Sequence, residues 1–119
     1  MFAKNLLFPC LLDIYGPLLT DRKRELLDYY YDEDYSLSEI SELTGISRQG
    51  IRDSIKKSES ELVEFESKLR LYEKKSAATA AISEANKLID EALSKGTALT
   101  EKAVLTALKA RLSAIEECL

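Results

Sequence analysis

Five side chains in one short run carry the clearest chemistry in the chain: Arg48, Gln49, Arg52, Lys56 and Lys57. In a helix that begins after Ser47 and turns Ile51 and Ile55 inward, all five are left on the outer side. Arg and Gln can each meet a base edge through two hydrogen bonds, and Lys and Arg neutralise phosphates. Arg48 and Gln49 stand in the first turn of that helix, the part of a helix-turn-helix that enters the major groove. These residue types offer recognition of nucleic acid rather than bond making. The rest of the inventory excludes most enzyme chemistry. There is no His, no Gly-rich phosphate loop, no paired-Cys motif and no Ser in a strand-turn-helix setting. Cys10 and Cys118 are too far apart in sequence to frame a metal site, and Asp32-Glu33-Asp34 lacks the Gly of a calcium loop. The expectation is a protein that is not an enzyme, has no metal or cofactor, and keeps its two Cys as reduced thiols in the cytoplasm.

The basic run needs a scaffold, and Ser36 to Leu62 reads as one. Ser36 with Glu39 three residues on makes a capping box, and Leu37, Ile40 and Leu43 give the short helix that follows an apolar face. Thr44-Gly45-Ile46 interrupts it. Gly45 can adopt the positive φ of a sharp turn, and Ile46 can plug the angle between the helices. Ser47 caps the second helix, whose Ile51 and Ile55 face Leu37, Ile40 and Leu43, while Ser41 is small where the helices approach.

Charge qualifies the nucleic-acid reading. The 119-residue chain is 45% hydrophobic and 32% charged, with a net charge of −4, which suits one helix-rich domain and argues against strong non-specific binding. Locally, residues 36–58 carry four basic and three acidic groups, whereas residues 21–34 carry three basic and six acidic ones. A single motif with so thin a basic surface should bind DNA weakly.

Around the motif the sequence predicts helices throughout. Residues 2 to 15 read as the first helix, with Leu7, Cys10, Leu11 and Ile14 as its inner stripe, Pro9 tolerated in the first turn and Gly16-Pro17 as the stop. Thr20 caps a second helix from Asp21 to about Tyr31, with Leu26, Leu27, Tyr30 and Tyr31 inward; the tyrosines are read as core with wet hydroxyls rather than as base-stacking platforms. The helix after Ser47 is expected to run on to about Lys75. Ile51, Ile55, Ser58, Leu62, Phe65, Leu69 and Tyr72 recur at heptad spacing, and Leu62, Phe65, Leu69 and Tyr72 form a candidate seam for a homodimer or for docking the C-terminal helices. Ala78, Ile82, Ala85, Ile89 and Ala92, and then Leu105, Leu108, Leu112, Ile115 and Leu119, predict a C-terminal αα-hairpin. Its turn is marked by Lys95-Gly96 and by Thr97 or Thr100 as cap. No stretch is long enough to span a bilayer, so membrane insertion is not expected.

From Leu18 to about Leu71 the chain resembles the YlxM family, small helix-turn-helix proteins encoded beside signal recognition particle genes in Gram-positive bacteria and mollicutes. The residues that carry it are the Tyr15-Gly16-Pro17-Leu18-Leu19-Thr20 lead-in, Leu27 through Leu37, and Ser47 through Glu59. More distantly the core resembles region 4 of sigma factors, with Ile51, Ile55, Ser58 and Leu62 on the matching face. Gly50 departs from the family, whose members tend to have Ala there. The resemblance implies an all-α, sigma-region-4-like domain of three to four helices with a long recognition helix. It also implies a DNA-binding regulator tied to the signal recognition particle pathway. The alternative is an adaptor without DNA binding that meets a particle protein or RNA through the motif surface. The expected division is a helix-turn-helix domain at 1–60, then the distal long helix and hairpin at 61–119.

Overall fold

Capping residues and the positive-φ Gly45 punctuate the chain into helices. The computed structural model describes residues 5–95 and 98–118. Helix α1 spans Leu7–Tyr15, and a 3-10 turn, Gly16–Leu18, follows it. Asn5 starts α1: its side-chain oxygen accepts from the Leu7 amide at 2.9 Å. Pro9 stands in the first turn, where its missing N–H costs nothing. Helix α2, Asp21–Leu27, is capped by Thr20 and continues as a π-helical turn, Asp28–Asp32, closed by the Glu33 amide donating to the Asp28 carbonyl at 2.9 Å. Helix α3 is Leu37–Thr44, α4 is Arg48–Leu69, α5 is Leu71–Lys95 and α6 is Ala98–Cys118. Gly96, Thr97 and Leu119, expected to mark the hairpin turn and the end of its stripe, lie outside the described residues, as do residues 1–4 and the side chains of Thr100 and Cys118.

The chain divides into two compact units, Met1–Tyr72 and Glu73–Leu119, so the division falls well beyond the expected 60/61. In unit 1, α4 packs against α1, α2 and α3. Leu11, Leu12, Tyr15, Leu26, Leu27, Tyr30, Ile40, Ile51, Ile55 and Leu62 are all buried in one cluster. At about 1.5–3 kcal/mol for each large apolar side chain, this interior is the main stabilising term of the unit.

Several expectations shift. The inner face of α1 is Leu11, Leu12 and Tyr15, with Leu7 and Cys10 exposed, because nearly every residue of that segment is apolar and the stripe's phase was ambiguous. Leu43 is 60% exposed; the buried side of α3 is Leu37, Ile40, Ser41 and Thr44, one strip away. The seam does not wait for another chain or for the hairpin. Leu62 is fully buried in the unit's own core and Phe65 and Tyr72 pack against it, while Leu69 stays exposed.

The long helix also stops sooner than expected. Arg70 adopts φ 53°, ψ 31°, a left-handed conformation that ends α4 after Leu69. A latch holds this break. The Tyr15 hydroxyl donates to Glu66 Oε1 at 2.6 Å and accepts from the Leu71 amide at 3.0 Å, while the Tyr72 amide donates to the same Glu66 oxygen at 2.9 Å. The first amides of α5, which have no partner inside their own helix, are satisfied by that phenol and carboxylate. Unit 2 consists of α5 beyond Tyr72 and α6, with Ala81 and Ala85 buried and Arg111 paired to Glu84 at 2.7 Å.

Candidate nucleic-acid interface

The motif is built as its caps require. The Ser36 hydroxyl accepts from the Glu39 amide at 3.1 Å and the Glu39 carboxylate accepts from the Ser36 amide at 3.3 Å, a complete capping box. Gly45 sits at φ 74°, where a side chain would be strained. The turn is then tied down twice: the Ser41 hydroxyl donates to the Ile46 carbonyl at 2.7 Å, and the Ile46 amide donates to Thr44 Oγ1 at 3.3 Å. Ser47 caps α4 by accepting from the Gly50 amide at 3.1 Å. Ile51 and Ile55, both 0% exposed, anchor α4 to the core and fix its rotation.

That rotation turns Gln49, Arg52, Lys56 and Lys57 away from Ile51 and Ile55, and Arg48 clears the core by standing at the first position of α4. Arg48, Gln49, Lys56 and Lys57 are exposed, and Arg52 is half-buried. Arg48 and Gln49 therefore emerge together, both exposed, from the first turn of α4. Gln49 is not idle: its amide donates to Asp53 Oδ1 at 2.9 Å. Reading an adenine edge would require Gln49 to exchange that carboxylate for the base. Sequence spacing set Asp53 beside Arg52, but the helical turn gives it Gln49 as a partner.

Behind the strip, α4 is braced by polar contacts that the apolar pattern could not show. Lys23 of α2 pairs with Glu61 at 2.6 Å, and the Tyr31 hydroxyl donates to Glu59 at 3.2 Å. Burial pushes the Glu59 carboxyl up from its ordinary value, with the Tyr31 bond and Lys56 opposing the shift. The same burial, together with the Glu59 charge, raises the Tyr31 phenol strongly. Tyr30 is core; Tyr29 stacks on Tyr35 with centroids 5.7 Å apart and donates to Glu25 at 3.2 Å. The tyrosines thus serve the interior and its edge.

On α3 the surface changes sign. Glu39 and Glu42 are exposed, and with Tyr35 and Leu43 they line a hollow of about 320 Å³. In a helix-turn-helix this first helix crosses the phosphate backbone, where carboxylates are repelled. No group of His, Cys, Asp or Glu among the described residues could hold a metal ion, and no described helix is long and apolar enough to cross a membrane.

Comparison with known proteins agrees with the motif. A family model described as "Putative helix-turn-helix protein, YlxM / p13 like" matches residues 2–104, well past Leu71 and into α6. The chain is 55% identical over 71 residues to a UPF0122 protein of Thermoanaerobacter sp., covering 59% of this chain and 61% of the relative. Against a UPF0122 protein of Clostridium kluyveri it is 54% identical over 65 residues, 55% of this chain and 59% of the relative. Against one of Oceanobacillus iheyensis it is 47% identical over 74 residues, 62% of this chain and 70% of the relative. The chain thus spans about three fifths of the length of the first two relatives.

Proposed function

The chain belongs to the YlxM / p13-like family of helix-turn-helix proteins, and from that premise we propose that it is a DNA-binding regulatory protein of the signal recognition particle pathway, reading duplex DNA with the first turn of α4. The observation that carries the DNA reading is the joint exposure of Arg48 and Gln49 on a helix whose rotation is set by buried Ile51 and Ile55. Arg48, Gln49 and Arg52 contact base edges; Lys56 and Lys57 meet phosphates. The test is binding of the full chain to a duplex selected from a random pool, as a function of salt. Arg48→Ala and Arg52→Ala should each weaken specific binding by about 1–3 kcal/mol, and Lys57→Ala should weaken all sequences alike and reduce the salt slope by about one. Arginine variants that bind the selected duplex as the parent does would remove α4 from groove reading.

A second reading rests on the acidic, partly apolar outer side of α3. Glu39, Glu42 and exposed Leu43 suit a basic protein surface better than a phosphate backbone. On this reading the protein is an adaptor that meets a protein of the particle, and the family resemblance supplies the pathway. Co-purification with the particle's protein and RNA parts at physiological salt separates the two. Recovery of the protein part, lost in Leu43→Glu, favours the adaptor; recovery of neither part beside a defined DNA footprint rejects it.

A further inference from the structure

The two helices of unit 2 leave one side uncovered. Ile82, Ile89 and Leu93 of α5 are 48%, 41% and 78% exposed, and Leu105 and Leu112 of α6 are 60% and 61% exposed. Isolated exposed leucines are ordinary, whereas a contiguous set is not. The helices run antiparallel, since Glu84 and Arg111, paired at 2.7 Å, stand at similar distances from the ends that face each other in sequence. At about 100° per residue, Ile82, Ile89 and Leu93 are rotated off the Ala81–Ala85 strip in the same sense as Leu105 and Leu112 are rotated off Leu108 and Ile115. On antiparallel partners, equal senses of rotation land on the same side. The five side chains therefore make one face, and the Glu84–Arg111 pair lies on the other.

We propose that this face binds the same face of a second copy of the chain, so that two hairpins close into a four-helix bundle with α6 antiparallel to its counterpart. Two features select a second copy. The first is charge. The outer strip of α6 reads Lys102, Leu105, Lys109, Leu112, Glu116, all exposed. Antiparallel pairing of this strip with itself sets Lys102 opposite Glu116 of the second copy, twice, with Leu105 against Leu112 between them. The second is area. Two helices side by side, each about 10 Å wide and, at about 1.5 Å per residue, about 32 Å long, present roughly 600 Å². Two such faces would bury about 1,200 Å², the lower bound for a specific association. A unit whose buried residues, among those described, are two alanines gains an interior by that pairing. Lys109 lies near the two-fold axis and is the strip's one opposing element.

The proposal does not depend on DNA binding and is tested by mass. Sedimentation of the full chain should give a dimer at about 100 µM that dissociates on dilution. Leu105→Glu with Leu112→Glu should raise the dissociation constant about a hundredfold, with helicity by circular dichroism retained as a control for folding. Lys102→Glu alone should weaken the dimer severalfold, and Glu116→Lys added to it should restore the parent affinity. Lys109→Leu should tighten it about tenfold by replacing facing charges with apolar contact. A parent chain that stays monomeric across this range, or a double Leu→Glu variant that dimerises undiminished, overturns the proposal, as does a Lys109→Leu variant that binds more weakly.

Discussion

The two units of this chain solve helix packing differently. Unit 1 turns large side chains inward from four helices and seals them to less than a few percent exposure, with Leu27, Tyr30, Ile40, Ile51, Ile55 and Leu62 all at 0%. Unit 2 has α5 and α6 alone, buries Ala81 and Ala85, and leaves leucines and isoleucines in solvent. Both are predominantly helical, so helix content does not separate them. What does is the number of elements that converge on one side chain. Ile55 is closed in by a fold that brings three other helices to α4, whereas a residue on a two-helix hairpin has at most one neighbour. The first unit holds α4 at a fixed rotation; the second leaves large apolar side chains exposed.

The sharpest way to break that contrast is to remove the same atoms from each unit. Leu62→Ala should cost about 2–5 kcal/mol, since the side chain is fully buried within the core cluster. Leu112→Ala, at 61% exposure, should change stability by less than about 0.5 kcal/mol in dilute solution. Urea unfolding of both variants at low micromolar concentration measures the difference. A large cost at Leu112 there would mean that its side chain is already covered, and the contrast would fail.

The next largest effect is expected at the Tyr15 latch. Tyr15→Phe keeps the ring against Phe65, 5.9 Å between centroids, but removes the hydroxyl that serves both Glu66 and the Leu71 amide. The expected loss is about 1–2 kcal/mol, at the lower end because Leu71 is partly solvated. Amide exchange at Leu71 should accelerate more than exchange at Ile51. Equal acceleration at both would show that Tyr15 supports the whole core and not the break at Arg70.

That break also marks where sequence reading ran out. The caps at Thr20, Ser36 and Ser47, the left-handed Gly45 and the burial of Ile40, Ile51 and Ile55 were legible because each depends on residues a few positions apart. The all-α class and the exposed basic strip followed from them. Tyr15 meeting Glu66 joins residues far apart in sequence, and no periodicity encodes it. A weaker signal was present. After Tyr72 the heptad positions are Ser76, Thr79 and Ser83, all polar, while the apolar stripe of α5 follows a different phase through Ala78, Ile82 and Ala85. A stripe that changes phase in an unbroken run of helix formers points to two helices. At the site, the Gln49–Asp53 bond was not foreseen because Asp53 entered as one of the three acidic charges of residues 36–58.

Titration separates the interior of unit 1 from its surface more gently. Burial raises the Glu59 carboxyl above its ordinary 4.5, and burial with the neighbouring Asp32 charge raises Asp28 above 3.8. A carboxyl raised in the folded state contributes stability that is complete below its unfolded value and fades as pH rises through the folded one. Both groups should therefore make unit 1 less stable as pH rises, Asp28 from 3.8 upward and Glu59 from 4.5 upward. Glu59→Gln retains an acceptor for the Tyr31 hydroxyl and removes the ionisation, so its unfolding midpoint should fall less steeply with pH and exceed the parent's near neutrality. An unchanged pH slope would assign the dependence elsewhere.

The smallest effect, and the most informative for the reading helix, is expected from Gly50→Ala. Gly in a helix costs about 1 kcal/mol against Ala, less in a first turn, so propensity alone favours the substitution. The structure opposes it. A Cβ at Gly50 would lie 3.1 Å from Ile46 Cγ2 and 3.1 Å from Ser47 Oγ, tighter than ordinary contact on both sides. Ser47 Oγ is also the cap that accepts from the Gly50 amide at 3.1 Å, so moving it aside lengthens the bond that starts α4. A weakened cap costs up to about 1 kcal/mol, which nearly cancels the gain. The net change in stability should lie within about 0.5 kcal/mol of zero, read by thermal unfolding. If Gly50→Ala instead stabilises by the full propensity difference, the turn between α3 and α4 has slack, and the tight packing that distinguishes unit 1 stops short of the helix that presents Arg48 and Gln49.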